Sequence, residues 1–322
     1  MRARVANTEL SKWAENLGGS VSWGSVSILQ GVLSDIERRR SRGEFDPGFY
    51  HTRLARLCRI AWMCPPGSKT VIVVAVPRPA HRVVFTLEEG PFEAVLPPTY
   101  VAYDQLPARF LNELLDFLPG ETPQVTLLRA PLKSLAARLG LAKYGLNNLT
   151  YVRGLGSYHQ LIGFVTDVDL DGAPWVPDDG PDPMPECQDC GLCREACPTG
   201  AIPEGRFMLR AERCLTFHGE AFGPWPSWLL PSVHHCLVGC LKCQQVCPEN
   251  RGLLRFEPAE VSFDAEETQA ILKEGSDRAG PVWDSIRKKL EVLNIQDDEP
   301  VIGRNLRALM SAHRQSTGVQ ET

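Results

Sequence analysis

The chain has 322 residues, 34 Lys and Arg against 39 Asp and Glu, and a net charge of -5. At 43% hydrophobic it can bury a core, and its length suits about two domains. The negative balance offers no general basic face for nucleic acid. No apolar run follows the N-terminal arginines and none approaches membrane-spanning length. The expectation is therefore a soluble, cytoplasmic protein with no membrane attachment.

Cys58 and Cys64 lie beside Ile60, Trp62 and Met63 and read as core thiols. Residues 70–76, TVIVVAV, form a continuous β-branched run ended by PRP, which predicts a buried strand. VVFTL at 83–87 reads as its hairpin or edge partner. Residues 104–118 space Leu106, Phe110, Leu111, Leu114, Leu115 and Leu118 at helical intervals, with Asp104 as the helix cap. SLAARLGLA, 134–142, predicts a second helix closed near Gly140. Residues 158–170 predict a strand, and 171–185 a Pro/Gly/Asp linker. The fold class is α+β: a mixed α/β domain over 1–175, a cysteine-rich domain over 176–255, and a polar helical tail over 256–322.

Nine of the 11 cysteines lie between Cys187 and Cys247. In a cytosolic chain such crowding indicates metal ligands rather than disulfides. Cys187, Cys190, Cys193 and Cys197, followed by Pro198, match the bacterial ferredoxin run C-x2-C-x2-C-x3-C-P. In that run three thiolates wrap one cubane and the fourth serves its neighbour. Cys240, Cys243, Cys247 and Pro248 repeat the ending, and Cys214 supplies the missing ligand. Two 4Fe-4S clusters are expected, one on Cys187, Cys190, Cys193 and Cys247, the other on Cys197, Cys214, Cys240 and Cys243. A pair of four-cysteine zinc sites is the alternative, but the x3-C-P endings favour iron–sulfur. Cys236 reads as a buried thiol beside the second cluster. His234 and His235 point apart as neighbours and read as hydrogen-bonded, and His218 as structural. No G-x-G-x-x-G, phosphate loop or D-x-H-x-x-G segment occurs.

Residues 135–145, 153–167, 197–202, 214–217 and 239–250 together resemble epoxyqueuosine reductases and their relatives, the corrinoid-dependent reductive dehalogenases. The resemblance covers about residues 70 to 255. It implies a nitroreductase-like corrinoid-binding domain followed by a two-cluster ferredoxin-like domain. It also implies base-off cobalamin reduced through the clusters by an external ferredoxin or flavodoxin. Gly156, Ser157, Tyr158, His159 and Gln160 would then face the corrin. Activation of the corrinoid of a partner protein is the rival reading. At the place where the resemblance puts an acidic proton donor, this chain has Thr126, which leaves Tyr100, Tyr103 and Tyr144 as donor candidates, with Tyr158 behind them. That threonine, the acidic balance and the short C-terminal segment make tRNA an unexpected partner.

Overall fold

A strand with both faces covered reads as an unbroken apolar run. In the computed structural model, which describes residues 7–60, 64–119, 122–170, 183–273 and 278–317, the run at 70–76 is such a strand. Helix α1 (Asn7–Asn16), β1 (Ser20–Ser25) and α2 (Ile28–Ser41) come first. Helix α3 (Pro47–Phe49), a π turn over Tyr50–Leu54 and α4 (Ala55–Ile60) lead to β2 (Thr70–Pro77). Helix α5 (Gln105–Phe117), β5 (Val125–Leu127), α6 (Leu132–Arg138) and β8 (His159–Thr166) follow the β3–β4 hairpin described below. β1, β2, β8 and β5 make an antiparallel sheet in that order.

Alternate residues of β2 serve opposite faces. Val71, Val73 and Ala75 meet α2 and α6 through Leu29, Val32, Ile36, Leu135 and Leu139. Ile72, Val74 and Val76 meet α1 and α5 through Leu10, Trp13, Phe110 and Leu114. Each such aliphatic side chain contributes roughly 1.5–3 kcal/mol on burial. The expected pairing of 70–76 with 83–87 is not made. Pro77 and Pro79 take the chain out of the sheet, and β3 (Ala80–Leu87) pairs with β4 (Gly90–Leu96) and, in parallel, with β9 (Phe256–Pro258). Asp104 precedes α5 but accepts no cap hydrogen bond. Gly140, in the left-handed region at φ 69°, follows the end of α6.

The cysteine segment runs from the short paired strands β6 (Lys143–Tyr144) and β7 (Thr150–Tyr151) to β9. It carries α7 (Leu192–Glu195), α8 (Leu215–Glu220) and α9 (Lys242–Gln245). Most of the expected linker, residues 171–182, lies outside the described residues. Beyond β9, α10 (Ala265–Leu272), α11 (Pro281–Val292) and α12 (Glu299–Thr317) pack on the β3–β4 hairpin. Phe85 stacks on Phe263 at 4.8 Å, with Trp283, Ile286, Leu290 and Leu306 closing the core. These helices are polar only outwardly.

Helix α10 starts at a capping box formed by Asp264 and Glu267. Burial alone would raise the Glu267 carboxyl, but bonds from Lys289 (2.5 Å), Ser285 (2.6 Å) and the Asp264 N–H (3.0 Å) outweigh it and hold its pKa low. A depressed carboxylate adds stability above its unfolded pKa and loses it as pH falls through the folded one. Glu267→Gln is therefore expected to lose stability at neutral pH and to flatten the acid side of the stability curve. Urea midpoints across pH 3 to 7 check this, and parallel wild-type and variant curves would refute it.

Candidate iron–sulfur centre

Gly191, at φ 65°, turns the first cysteine loop into α7, and Gly239, at φ 77°, precedes Cys240. A Cβ on Gly239 would lie 2.7 Å from the Tyr100 hydroxyl, so only glycine fits. The loops bring Cys187, Cys190, Cys193 and Cys247 around one open cavity, also lined by Gly145, Asn147 and Tyr151. This is the first thiol set expected from sequence. Burial, then Cys187, Cys247 and Cys190, push the Cys193 thiol up to about 11.

The second set gathers on the other side. Burial, then Cys214 and Cys197, push Cys240 up to about 12 against a backbone N–H from Lys242. Burial raises Cys243, and Cys240, Cys214, Cys193 and Cys197 all add to it. Crowded thiolates of this kind repel one another and are stable only around cationic metal. Among the described residues, no three His, Cys, Asp or Glu side chains close on the position of a single ion. A zinc ion needs its sulfurs at about 2.3 Å from one point. Thiols arranged around a cavity instead fit a larger iron–sulfur group.

Hydrogen bonds to the sulfurs come from both units. The Ala201 N–H donates to Cys197 Sγ at 3.3 Å, and Thr216 and Phe217 donate to Cys214 from their backbone. Asn147 Nδ2 donates to the Tyr151 hydroxyl at 2.9 Å, and that hydroxyl is in turn bonded to Cys247. Asn147 and Tyr151 line the first thiol set and sequence reading missed them, because GLNNLTY carries no ligand signature.

Cys236 is buried with Tyr158 and Leu241, outside both sets, as expected. Cys58 and Cys64 pack partly buried against the α2–α6 core. His235 accepts from the Leu241 N–H at 3.0 Å, while His234 is buried against Trp225 at 4.2 Å. His218 donates to the Glu212 carbonyl at 2.8 Å.

The corrin-facing run turns toward protein instead. Gly156, at φ 58°, leaves room that Asn250 and Leu253 take up: a Cβ there would sit 2.3 Å from Asn250 Oδ1. Ser157 bonds Asn250 through its N–H (2.8 Å) and Gln244 through its hydroxyl (3.0 Å). Tyr158 is buried and pushed up to about 12 by burial and then by Cys243. Gln160 donates to the Tyr103 carbonyl at 2.8 Å. His159 Nδ1–H donates to the Gly156 carbonyl (2.9 Å), so Nε2 accepts from Thr150 (3.2 Å); burial pulls its pKa down to about 4 and keeps the ring neutral. These five residues join the sheet to the second cysteine run and do not fit a corrin contact.

The tyrosine candidates have separate partners. Tyr100 donates to Glu220 at 2.9 Å, Tyr144 shares a 3.1 Å bond with Ser134, and the Tyr103 side chain is exposed. Burial first raises Tyr100 and Tyr144; Glu220 adds to Tyr100, and Tyr144 reaches about 12. That weakens them as acids near neutrality. Thr126 lies on the edge strand β5, lining a shallow surface cavity with Pro65, Pro66 and Gln124.

A family model described as a 4Fe-4S double cluster binding domain matches residues 186–250, which carry all eight expected ligands. Epoxyqueuosine reductase of Staphylococcus aureus is 29% identical over 157 residues, 47% of this chain and 39% of that protein. That of Bacillus subtilis is 31% identical over 141 residues, 44% and 34% respectively. The matched stretch is thus well under half of these relatives. A solved Bacillus subtilis epoxyqueuosine reductase, with its catalytic aspartate loop swung out of the active site, superposes with TM-score 0.67 at 21% identity, over 96% of this chain and 82% of that one. The chain has the epoxyqueuosine reductase fold.

Another structure of that fold, an epoxyqueuosine reductase with a tRNA-Tyr epoxyqueuosine-modified stem loop, superposes with TM-score 0.65 over 96% of this chain. It overturns the expectation that tRNA is an improbable partner. Net charge was a poor guide because charge acts locally. Arg53, Arg56 and Arg59 are exposed along the π turn and α4, and Arg53 pairs with Glu220 at 3.3 Å. Among the described residues, no helix is long and apolar enough to cross a membrane.

Proposed function

We propose that this chain is an iron–sulfur oxidoreductase that reduces an epoxyqueuosine-type nucleoside in tRNA, drawing electrons from an external ferredoxin or flavodoxin. The observation that carries this reading is the gathering of two separate cysteine quartets within an epoxyqueuosine reductase fold. Bound 4Fe-4S groups supply one-electron transfer at low potential. Cys187, Cys190, Cys193 and Cys247 would hold one, and Cys197, Cys214, Cys240 and Cys243 the other. The N–H groups of Ala201, Thr216 and Phe217 disperse sulfur charge at the second set, and Tyr151 does so at the first. The cobalamin that the resemblance implies finds no contact at residues 156–160, whose polar groups are taken up by protein partners.

The test has two arms. Anaerobically reconstituted protein is assayed for iron and sulfide, with about eight of each expected for two cubanes. The same preparation is then given epoxyqueuosine-containing tRNA and a low-potential reductant, and digested nucleosides are scored by mass spectrometry. Queuosine should appear. Full iron loading without conversion would overturn the substrate, and stoichiometric zinc without sulfide would overturn the centre.

A further inference from the structure

The first cysteine run ends C-P-T-G-A-I, and two donors beyond its last ligand turn back on that ligand. Pro198 has no N–H, so the residue next to Cys197 gives the sulfur nothing. Gly200, at φ 63°, folds the chain over, and its N–H donates to the Cys197 carbonyl at 3.2 Å. The Ala201 N–H then reaches Cys197 Sγ at 3.3 Å, and the Thr199 hydroxyl lies 3.5 Å from the same sulfur. Thr199 is 5% exposed, and Cys197 Sγ is the one partner of its hydroxyl among the described residues. The turn is clamped on both sides. Arg213 Nε donates to the Thr199 carbonyl at 2.8 Å, and the Arg210 N–H donates to the Ala201 carbonyl at 2.7 Å. Arg213 immediately precedes Cys214, so the clamp ties this turn to another thiol of the second set. In a free thiol–hydroxyl pair either group can donate. A cysteine that ligates metal has lost its proton, so here the hydroxyl must be the donor.

We infer, on the ligand assignment proposed above, that Thr199 is a positioning residue for electron transfer: its hydroxyl donates to Cys197 Sγ and raises the reduction potential of the cluster which that thiolate helps to hold. Hydrogen bonds to the sulfurs are among the determinants of cluster potential. Reduction adds one electron from the external donor, and part of its charge falls on the sulfurs. A donor fixed in place therefore bonds the reduced cluster more strongly than the oxidised one, since hydrogen bonds strengthen as the acceptor becomes charged. That gain is on the order of threefold to tenfold in the ratio of reduced to oxidised cluster, about 28 to 59 mV for one electron. The effect is confined to the second set, because neither Thr199 nor Cys197 lines the cavity of Cys187, Cys190, Cys193 and Cys247. The turn itself is held by backbone groups and Arg213, so it does not depend on the hydroxyl.

The experiment is an EPR-monitored redox titration of the reconstituted full chain, with iron and sulfide counted in the same samples. Thr199→Val keeps the branched shape and loses the hydroxyl. It should lower one of two midpoints by about 28 to 59 mV and leave the other in place. Thr199→Ser, which keeps the hydroxyl, should hold both midpoints at their wild-type values. If Thr199→Val holds about eight irons and neither midpoint moves, or both move together, the inference is overturned. Should Thr199→Val load poorly, Thr199→Ala removes the same hydroxyl with a smaller side chain. If both hydroxyl-free variants hold only about four irons, the hydroxyl retains the cluster rather than tuning it, and the inference is again overturned. A wild type with about four irons or a single midpoint would show that the ligand assignment has failed, and the inference with it.

Discussion

Replacing Cys197 with serine is expected to halve the metal content, from about eight irons to about four, with one EPR signal surviving. Cys197 closes the first run in sequence but sits with Cys214, Cys240 and Cys243 in space. The cavity formed by Cys187, Cys190, Cys193 and Cys247 does not include it. The surviving signal should therefore be that of the first set. Cys236→Ala is the control. That thiol lies four residues before Cys240 and is almost fully buried; Cys240 adds to the rise that burial gives it, but it packs with Tyr158 and Leu241. It should leave the iron count unchanged. Loss of iron in Cys236→Ala, or a full count in Cys197→Ser, would refute the assignment.

The cysteine quartets were legible because ligand geometry is local: gaps of two and three residues dictate which thiols can share a cubane. Strand β2 was legible for a related reason, since a strand covered on both faces leaves no polar residue to interrupt it. Its partners were not. Ser20–Ser25, SVSWGS, is half polar and carries a glycine, and only pairing with β2 makes it a strand. The C-terminal helices were read as a polar tail because their exposed residues outnumber the buried stripe of Trp283, Ile286, Leu290 and Leu306.

Gly156 shows a deeper limit. A glycine signals positive φ or a close approach, but not what approaches. The sequence was read as making room for a flat ligand, and Asn250 from the second cysteine run fills that room. Thr126 was located by alignment alone, and the structure puts it on the edge strand β5.

Asp35→Ala should cost about 3–5 kcal/mol of stability, the largest loss expected from any single substitution away from the cysteines. Asp35 is 3% exposed and Arg138 is 7% exposed. Asp35 Oδ2 accepts from Arg138 Nε and Nη2, each at 2.7 Å, while Oδ1 accepts from Arg38. The pair joins α2 to α6 across the face of the sheet on which Val71, Val73 and Val165 are buried. Gly31 admits the guanidinium, since a Cβ there would lie 2.9 Å from Arg138 Nη1. Alanine at 35 strands a buried cation, and desolvation without a partner is the dominant cost. The double variant Asp35→Ala, Arg138→Met removes that cation as well and should recover most of the loss. Urea unfolding followed by circular dichroism reads both. A single-variant loss below about 1 kcal/mol, the range of exposed ion pairs, would show that water reaches the pair. A double variant no more stable than the single would show that α2 and α6 are held by their apolar faces alone.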